Sequence, residues 1–293
     1  MPTFFCEICN SENTPVRRIP HKILGSCLLV LCKECGHQNF IPDKDGVKED
    51  KEFSSEYVKV NQHNHVLNKQ ILNRRYFIDY SRLMLLQHFT FLDDGMSILE
   101  LGPGYPGLFQ HLKLTGIQLN LYAVESNPDS RELLQNYGVE CIGEYYPLTE
   151  SVSNNWGNYF DVIIACNILY YFNKPIEALQ QMLDQLNKRG GVILIDIINN
   201  EILNESYLLE ANTMTHIFSK RSLELAINAA GGTLKYINTN CVKDPGKAFD
   251  DLKLDFGRSS VIHKLANKIL NRLEMNFVRQ MNVMKYFARA TEM

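Results

Sequence analysis

The chain has 293 residues, of which 45% are hydrophobic, and its formal net charge is −3 at pH 7. A chain of this length can bury one full domain core and still provide a smaller unit. Its longest apolar runs, around Val162 and Val192, are too short to span a bilayer. The first nine residues lack the basic start and apolar stretch of a secretion signal. We therefore expect a cytoplasmic protein without a membrane span.

The cysteines are concentrated near the start of the chain, since five of the eight lie within the first 35 residues. Four of them form two C-x-x-C pairs, Cys6 with Cys9 and Cys32 with Cys35. Four thiolates at such spacing suit a tetrahedral Zn²⁺ ion, and a site closed by four protein ligands is structural rather than catalytic. The sequence therefore predicts a structural zinc ribbon over residues 1–50.

Other interpretations of these cysteines are weaker. Asn10 and Gly36 directly follow the second cysteine of each pair, and both residue types tolerate the left-handed backbone that turns amides toward thiolates. A disulfide is disfavoured in a cytosolic chain, and a redox C-x-x-C needs no second copy. Cys27, His21 and His37 lie close enough in sequence to replace a ligand, but we expect all three to be bystanders.

Residues 51–94 are predicted to form a helical linker between the ribbon and the rest of the chain. Apolar side chains recur at helical spacing in this region, for example at Leu67, Ile71 and Ile78. An Asp-Asp-Gly turn at residues 93–95 then leads into the first predicted strand.

A short apolar strand followed by a glycine-rich turn comes next. The run 97–101 opens directly into Gly102, Gly104 and Gly107, the spacing of a turn that wraps around a nucleotide. The first glycine permits the tight turn, the second lets a ligand lie against bare backbone, and the third lets the following helix pack closely on the strand. Because plain loops also contain such glycines, this spacing alone leaves the cofactor role open.

Two acidic residues lie at the ends of neighbouring predicted strands. Glu125 follows the strand 119–124 and comes 25 residues after Glu100, near the offset of about 20 residues expected of a ribose-binding acid. In the alternative, Glu125 only begins the turn that caps a helix starting near Pro128. Glu100 stands two residues before the first glycine, where a carboxylate repels a pyrophosphate but attracts an ammonium group. The expected ligand therefore carries positive charge.

Four segments, in order along the chain, carry a resemblance to a known family. The strings ILELGPGYPG (98–107) and YAVESNP (122–128) resemble the first two motifs of class I S-adenosylmethionine-dependent methyltransferases. Residues 160–172 are similar to the fourth strand of that family and the segment after it, and residues 186–197 are similar to the turn and strand that follow. The resemblance spans residues 95 to 290, and four ordered motifs are more specific than one.

This resemblance implies an α/β fold, a Rossmann-like, doubly wound, mostly parallel sheet of seven strands whose last strand is antiparallel. Residues 95–293 would form this methyltransferase domain, with the ribbon at 1–50 and a helical cofactor lid at 51–94. Alternation of strands and helices independently favours a parallel sheet covered on both faces. The expected strands are 97–101, 119–124, 139–142, 161–165, 192–197, 233–239 and 284–290, with a helix over 218–232.

The resemblance also implies S-adenosylmethionine as the cofactor, bound beyond the carboxyl ends of the strands. Tyr57 resembles the tyrosine that closes over the methionine end, with buried packing as the alternative. Glu144 falls beside the adenine, with a plain surface loop as the alternative. The full set of cofactor-binding candidates is Tyr57, Glu100, Gly102, Gly104, Gly107, Glu125, Ser126, Glu144 and Asn167.

Methyl transfer is an in-line displacement at an activated sulfonium carbon, so the enzyme mainly aligns the acceptor. A base is needed only when the acceptor must lose a proton. His216, which follows the fifth strand and precedes a helix, is the leading candidate for that base, with local packing as the alternative. Tyr171 is expected to line the acceptor pocket, and its neighbour Tyr170 is a further candidate. In the alternative, one of these two tyrosines packs in the core.

The acceptor is predicted to be a small molecule, such as a sugar or natural-product intermediate, because methyltransferases of those pathways carry similar N-terminal cysteine pairs. Ribosomal RNA methyltransferases with a zinc ribbon are the alternative. Residues 1–50 contain six Lys/Arg and seven Asp/Glu, so this ribbon offers no positive patch for phosphates. A third alternative is a regulatory protein that binds the cofactor without turnover. The acceptor atom and the oligomeric state remain open at this stage.

Overall fold

A computed structural model provides the fold of most of the first 235 residues. All the residues that it describes belong to one compact unit, Met1–Thr239. Within them, no helix is both long enough and apolar enough to cross a membrane. The described residues are 3–42, 52, 55–57, 69–197 and 213–235, with side chains from residue 78 onward in the helix that begins at residue 69.

The N-terminal region, residues 3–42, folds into short antiparallel strands, and we call it the ribbon. The two-residue strands β1 and β2 pair with each other, and the three longer strands form a sheet in which β4 lies between β3 and β5. Asn10 and Gly36 have positive φ angles, 58° and 72°, and they turn the chain directly after the two cysteine pairs. The strands are β1 (Phe4–Phe5), β2 (Glu12–Asn13), β3 (Pro15–His21), β4 (Gly25–Leu31) and β5 (Gln38–Pro42).

The second sheet has five parallel strands in the order β10-β9-β6-β7-β8. Their bounds agree with the five predicted strands to within one or two residues. The predicted sixth strand is absent from residues 233–235, and the rest of it, together with the predicted seventh strand, lies outside the described residues. The strands are β6 (Ser97–Leu101), β7 (Asn120–Val124), β8 (Glu140–Gly143), β9 (Val162–Cys166) and β10 (Val192–Asp196).

Six α-helices whose bounds are described connect or flank the strands, and residues 52 and 55–57 are also helical. Local sequence explains two of their starts: the Asn127 side chain accepts a hydrogen bond from Asp129 N (2.9 Å), and Ser219 forms a capping box with Ser222. The predicted helix 218–232 therefore begins after Ser219 and is shorter than expected. The helices are α1 (Lys69–Phe89), α2 (Gly107–Leu114), α3 (Pro128–Asn136), α4 (Glu150–Ser153), α5 (Pro175–Gln185) and α6 (Lys220–Ala229).

The two faces of the parallel sheet bury alternating side chains against different layers, as the pleat of a strand requires. One face, with Leu99 and Ile163, packs against α5, α6 and apolar side chains of the ribbon such as Phe40. The other face, with Ile98 and Ile164, packs against α1 and α2. The parallel sheet is therefore covered on both sides, which confirms the expected α/β architecture.

One further strand, β11 (His216–Ile217), joins the N-terminal sheet rather than the parallel one. It pairs antiparallel with β5, so that the sheet order becomes β11-β5-β4-β3. Two residues from late in the chain thus complete the sheet of the predicted ribbon. Sequence spacing contained no signal for this pairing, because the two strands are about 175 residues apart.

Candidate functional site

The parallel sheet has one topological switch point, at the carboxyl end of β6. From β6 the chain proceeds to β7 and β8 on one side, whereas β9 and β10 lie on the other. Open sheets of this kind bind ligands in the crevice beyond the carboxyl ends of the strands at such a point. Gly102 and Asn167, the residues directly after β6 and β9, are exposed although both strands are buried along their whole length.

The glycine turn has the geometry that its spacing predicted. Gly102 and Gly104 adopt φ angles of 60° and 62°, in the left-handed region that favours glycine. A Cβ atom on Gly102 would lie 2.7 Å from Cδ1 of Ile168, and one on Gly107 would collide with the carboxylate of Asp79. The turn therefore requires glycine at its first position for backbone conformation and at its third for the close approach of α1.

Glu125 links the glycine turn to the loop after β7. Its side chain is 5% exposed, Gly104 N donates to its Oε2 (2.8 Å), and Asn127 N donates to its Oε1 (2.8 Å). Glu125 begins the turn before α3, as one sequence interpretation expected, and its position at the switch point is compatible with the predicted ribose contact. Each carboxylate oxygen accepts up to two hydrogen bonds, so the group retains capacity for a ligand.

Arg131 brings together two candidates that the sequence could not connect. Its Nη1 donates to the backbone oxygens of Glu125 and Ser126 (2.9 Å each), and its Nη2 lies 3.1 Å from Oε1 of Glu144. Glu144 and Ser126 therefore lie on the same side of the crevice, next to the end of β7. Sequence reasoning missed Arg131, because an arginine inside an ordinary helix carries no distinctive signal.

A second charged group lies beside the glycine turn, centred on Arg82 of α1. Its guanidinium contacts Asp79 Oδ1 (2.7 Å) and Asp196 Oδ2 (2.5 and 3.0 Å), and Asp196 ends β10. Burial lowers the pKa of Arg82, but the neighbouring Cys166, Asp196 and Asp79 raise it above the ordinary value, so the side chain stays charged. The sequence analysis named none of these residues, since their meeting depends on how α1 packs.

Glu100 is buried close to this charged group. The residue is 4% exposed. Because it comes two positions after Ile98 in β6, it lies on the same face of the sheet, which α1 and α2 cover. Its charge contributes to raising the pKa of Cys166, for which burial is the main cause. A buried carboxylate thus lies within electrostatic range of Cys166 at the end of β9.

Three tyrosines cluster near the end of β9: Tyr170 and Tyr171, which were predicted to line an acceptor pocket, and Tyr57, which packs against Tyr171. Tyr171 and Tyr57 have ring centroids 4.7 Å apart and hydroxyls 3.4 Å apart, and the rings of Tyr170 and Tyr171 lie 4.6 Å apart. The Tyr170 hydroxyl donates to Oδ1 of Asn167 (3.3 Å). Burial raises the pKa of Tyr171 well above its ordinary value, so its hydroxyl keeps its proton at neutral pH. We call Tyr57, Tyr170 and Tyr171 the tyrosine wall.

His216, the predicted base, lies on β11 against the ribbon. It is 2% exposed, its Nδ1 is 3.2 Å from Nε2 of His37, and its Nε2 is 3.9 Å from the Glu7 carboxylate. Burial lowers its pKa to about 4. The ring is thus enclosed by the ribbon and by the backbone of 172–173, a placement that argues against its accepting a proton from a substrate.

The four predicted metal ligands do converge. The Sγ atoms of Cys6, Cys9, Cys32 and Cys35 all lie within 4.8 Å of one another, with Cys9–Cys32 at 3.4 Å and Cys6–Cys35 at 3.7 Å. A tetrahedral ion with Zn–S bonds of about 2.3 Å needs sulfur atoms about 3.8 Å apart. The donor set and spacing therefore fit Zn²⁺.

The two nearby histidines and Cys27 lie outside this cluster. His21 is occupied elsewhere, since its Nε2 lies 3.1 Å from the Met214 carbonyl and its Nδ1 accepts from Ile23 N (3.1 Å) and Leu24 N (3.0 Å). His37 contacts His216 instead. This agrees with the expectation that these residues are bystanders.

Ser11 is a contact of the cysteine cluster that the sequence analysis missed. Its hydroxyl lies 3.1 Å from both the Cys9 and Cys32 sulfurs, and Asn13 Nδ2 donates to it (3.1 Å). Although burial raises the pKa of Cys32, hydrogen bonds from Ser11, the Cys35 amide and Cys9 lower it to about 6. Burial raises the pKa of Cys6 to about 11. Burial also raises the pKa of Cys35, so of these three thiols Cys32 ionises most readily.

A cavity of about 350 Å³ lies at the opposite edge of the parallel sheet. It is lined by the loop 116–119 before β7 and by Gly138 before β8, and Lys113 at its rim donates to the Tyr137 carbonyl. Ligands of parallel sheets bind at the carboxyl edge, whereas this cavity is at the amino edge. We therefore assign the candidate site to the glycine turn.

The strand order, the glycine turn and the buried acid together define a class, the α/β proteins that bind a nucleotide-type cofactor at the switch point of a parallel sheet. A family profile described as a methyltransferase domain matches residues 72–235, more than half of the 293 residues. The chain therefore belongs to this methyltransferase-domain family, and it is an enzyme of the S-adenosylmethionine-dependent methyltransferase class. No curated protein matches the sequence at a significant level.

Several solved structures are similar to this chain. One is the complex between the Haloferax volcanii Trm112 methyltransferase activator and a protein described as a methyltransferase (TM-score 0.48, 14% identity, 58% of this chain and 74% of that chain). Another is a SAM-dependent methyltransferase from Aquifex aeolicus (0.39, 20%, 50% and 77%). A third is coclaurine N-methyltransferase bound to N-methylheliamine and SAH (0.38, 18%, 48% and 45%).

Proposed function

We propose that this enzyme transfers a methyl group from S-adenosylmethionine to a small-molecule acceptor. The observation that carries the proposal is the 2.8 Å hydrogen bond from Gly104 N to Oε2 of Glu125, which joins the glycine turn to the acid at the switch point. Glu125 can keep this bond and still accept the ribose hydroxyls of the cofactor. The exposed backbone at Gly102 leaves room for the amino-acid part of the ligand.

The methionine end of the cofactor carries both an ammonium and a carboxylate, and the crevice offers complementary charges. Glu100, 4% exposed at the end of β6, attracts the ammonium group. Arg82, held between Asp79 and Asp196, provides a fixed guanidinium for the carboxylate. On the other side of Glu125, Ser126 and Glu144, gathered by Arg131, would border the adenosine.

The tyrosine wall would face the methyl group and hold the acceptor in line with the sulfur–methyl bond. The bound sulfonium supplies an activated methyl group, so alignment is the main task left to the protein. The Tyr171 hydroxyl keeps its proton and donates a hydrogen bond to the Tyr57 hydroxyl (3.4 Å), so it can orient an acceptor by exchanging this bond for one to the acceptor. The buried His216 is not assigned a catalytic role in this proposal.

A small acceptor also agrees with the charge of the ribbon. The described ribbon, residues 3–42, has four Lys/Arg and three Asp/Glu, an almost neutral balance. Proteins that grip nucleic acids concentrate positive charge on the face that meets the phosphates. We further propose that the four-cysteine cluster binds one structural Zn²⁺, held by Cys6, Cys9, Cys32 and Cys35.

Titration calorimetry with S-adenosylhomocysteine on zinc-loaded protein tests cofactor binding, and a radiolabelled methyl donor tests transfer to three pools: sugar nucleotides, small metabolites, and ribosomal RNA. We expect binding, and label in a small-molecule pool. Absence of binding to folded protein would overturn the proposal. Label confined to RNA would contradict the small acceptor, and binding without label in any pool would favour a regulatory protein.

A further inference from the structure

Residues 213–219 form a short segment, which we call the strap, that contacts both the ribbon and the tyrosine wall. Within the strap, β11 extends the ribbon sheet by pairing with Gln38 and Asn39 of β5. Phe40 N donates to the Thr215 carbonyl (3.0 Å) and continues this ladder by one bond. The backbone of the strap is therefore placed by the ribbon.

At its other side, the strap holds the tyrosine wall. Thr215 N and Thr215 Oγ1 both donate to the Tyr170 carbonyl, each at 3.0 Å. Thr213 makes a hydrogen bond with the Tyr171 hydroxyl. Thr215 is 5% exposed, so both bonds to Tyr170 form away from water, where a lost partner is costly. The position of the wall thus depends on Thr215.

The strap is also tied directly to the cysteine cluster. Ser219 Oγ donates to the Cys35 carbonyl (2.5 Å), and the His37 ring, two residues further on, packs on Phe218 with centroids 4.9 Å apart. Together with the pairing to β5, these contacts fix the strap from Thr215 to Ser219 to ribbon segments next to the second cysteine pair. If the loop that carries Cys32 and Cys35 becomes disordered, the strap therefore loses its contacts with that loop.

We propose that Thr215 is a positioning residue that sets the tyrosine wall, and that the zinc-loaded ribbon acts on the methyltransferase site through it. This inference rests on the proposed function, since it assigns the ribbon a part in aligning the acceptor. The ribbon has about 40 residues, too few to hold its order without the metal. Loss of zinc therefore loosens β5, then Thr215, then the Tyr170 carbonyl.

Hydrogen exchange of zinc-loaded protein without cofactor tests the role of Thr215. Thr215→Val removes the Oγ1 bond at nearly constant shape, and we expect exchange in residues 168–172 to become about fivefold faster, the loss of roughly one hydrogen bond. Thr215→Ser keeps the hydroxyl and should restore wild-type exchange. The matched control is Thr115→Val, which removes a similar bond to Leu112 O (2.6 Å) at the opposite edge of the sheet. It should leave 168–172 unchanged.

Zinc removal by a chelator provides the second arm. We expect residues 25–42, 213–217 and 168–172 to lose protection together and to regain it with one equivalent of Zn²⁺, while 120–124 stays protected. The proposal fails if 168–172 stays protected while the ribbon opens, if the ribbon keeps its protection without zinc, or if Thr215→Ser behaves like Thr215→Val. These outcomes are read without ligand, whereas failure of S-adenosylhomocysteine to bind wild-type protein overturns the proposed function instead.

Discussion

The ribbon sheet and the parallel sheet differ in how completely their inner strands are buried. In the parallel sheet, the inner strands β6 and β9 are buried at all five positions, between helices on both faces, whereas the edge strands β8 and β10 are only partly buried. In the ribbon, β3 has only two buried residues out of seven, and β4 has three out of seven. The parallel sheet thus has a large apolar core of its own, whereas the ribbon relies on its cysteine cluster and on packing against its neighbour.

The two regions also assemble their sites differently. The cysteine cluster is built from two short C-x-x-C knuckles, each fixed by its own backbone, with Asn10 N donating to Cys6 O (2.8 Å) and Gly36 N to Cys32 O (2.9 Å). The cofactor crevice instead collects residues from the ends of several strands and from α1. A local site can be recognised from spacing, whereas a site assembled across strands can be recognised only where each strand end carries its own signature.

The largest effect is expected from removing one metal ligand, which should destabilise the ribbon and not the parallel sheet. Cys32→Ser should abolish zinc binding and destabilise the ribbon by about 5 kcal/mol or more, because metal-binding free energy is folding free energy in such sites. Zinc content and hydrogen exchange of residues 25–42 measure the effect. Cys27→Ala is the control, since Cys27 is fully buried but outside the cluster. Full zinc content in Cys32→Ser would contradict the assignment.

His216 lies at the contact between the ribbon and the rest of the chain, and we expect its protonation to lower the free energy of unfolding in acid. Its folded pKa of about 4 is below the ordinary 6.5, so the native state disfavours its proton, and the stability it contributes is present above about pH 6.5 and is lost as pH falls toward 4. That loss is about 3 kcal/mol. His37, whose pKa burial also lowers, titrates in the same direction, whereas burial raises the pKa of Glu7 and opposes it.

Denaturant unfolding at pH 7 and pH 4.5 checks this difference. His216→Gln should show a smaller fall in unfolding free energy between the two pH values than wild type, and His88→Gln, an exposed site on α1, should behave like wild type. Acid effects on the cysteines are shared by all three proteins and cancel in the comparison. An unchanged slope in His216→Gln would show that His216 is solvated.

In the parallel sheet, the acid at the switch point should control cofactor affinity without controlling the fold. Glu125→Gln removes the charge that accepts from Gly104 N and is expected to weaken S-adenosylhomocysteine binding about 30-fold, or about 2 kcal/mol. Titration calorimetry measures this change. Glu132→Gln, an exposed substitution on α3, provides the comparison and should leave the affinity unchanged. Equal affinities in the two variants would remove Glu125 from the site.

The smallest expected effect compares two glycines with similar backbone conformations. Gly102 has φ 60° beside Ile168, and Gly95 has φ 84° with open space around it. Alanine at either position should cost about 1 kcal/mol in unfolding free energy. Only Gly102→Ala should also weaken S-adenosylhomocysteine binding, about tenfold, because its methyl group lies where the ligand approaches the backbone. Equal binding by both variants would place the ligand elsewhere.

Sequence patterns predicted most of the described parallel sheet because their physical causes are local. Short, mainly apolar runs of four to six residues bounded by turns located β6 to β10 to within two residues, and the Asn127 and Ser219 caps mark where α3 and α6 begin. The glycine spacing anticipated a backbone with positive φ at Gly102 and Gly104. Similarly, the two C-x-x-C pairs predicted that the four sulfur atoms would form a cluster.

Only the tertiary structure revealed which distant groups meet. The pairing of β11 with β5, the enclosure of His216 by the ribbon, and the ion pair of Arg82 with Asp196 all join residues more than 100 positions apart. A histidine, an arginine or a two-residue strand has the same local sequence whether it faces a ligand or a neighbouring layer. The amino-acid sequence by itself determined the elements and their turns, because local backbone preferences set them. Packing decided their partners, because burial depends on the whole chain.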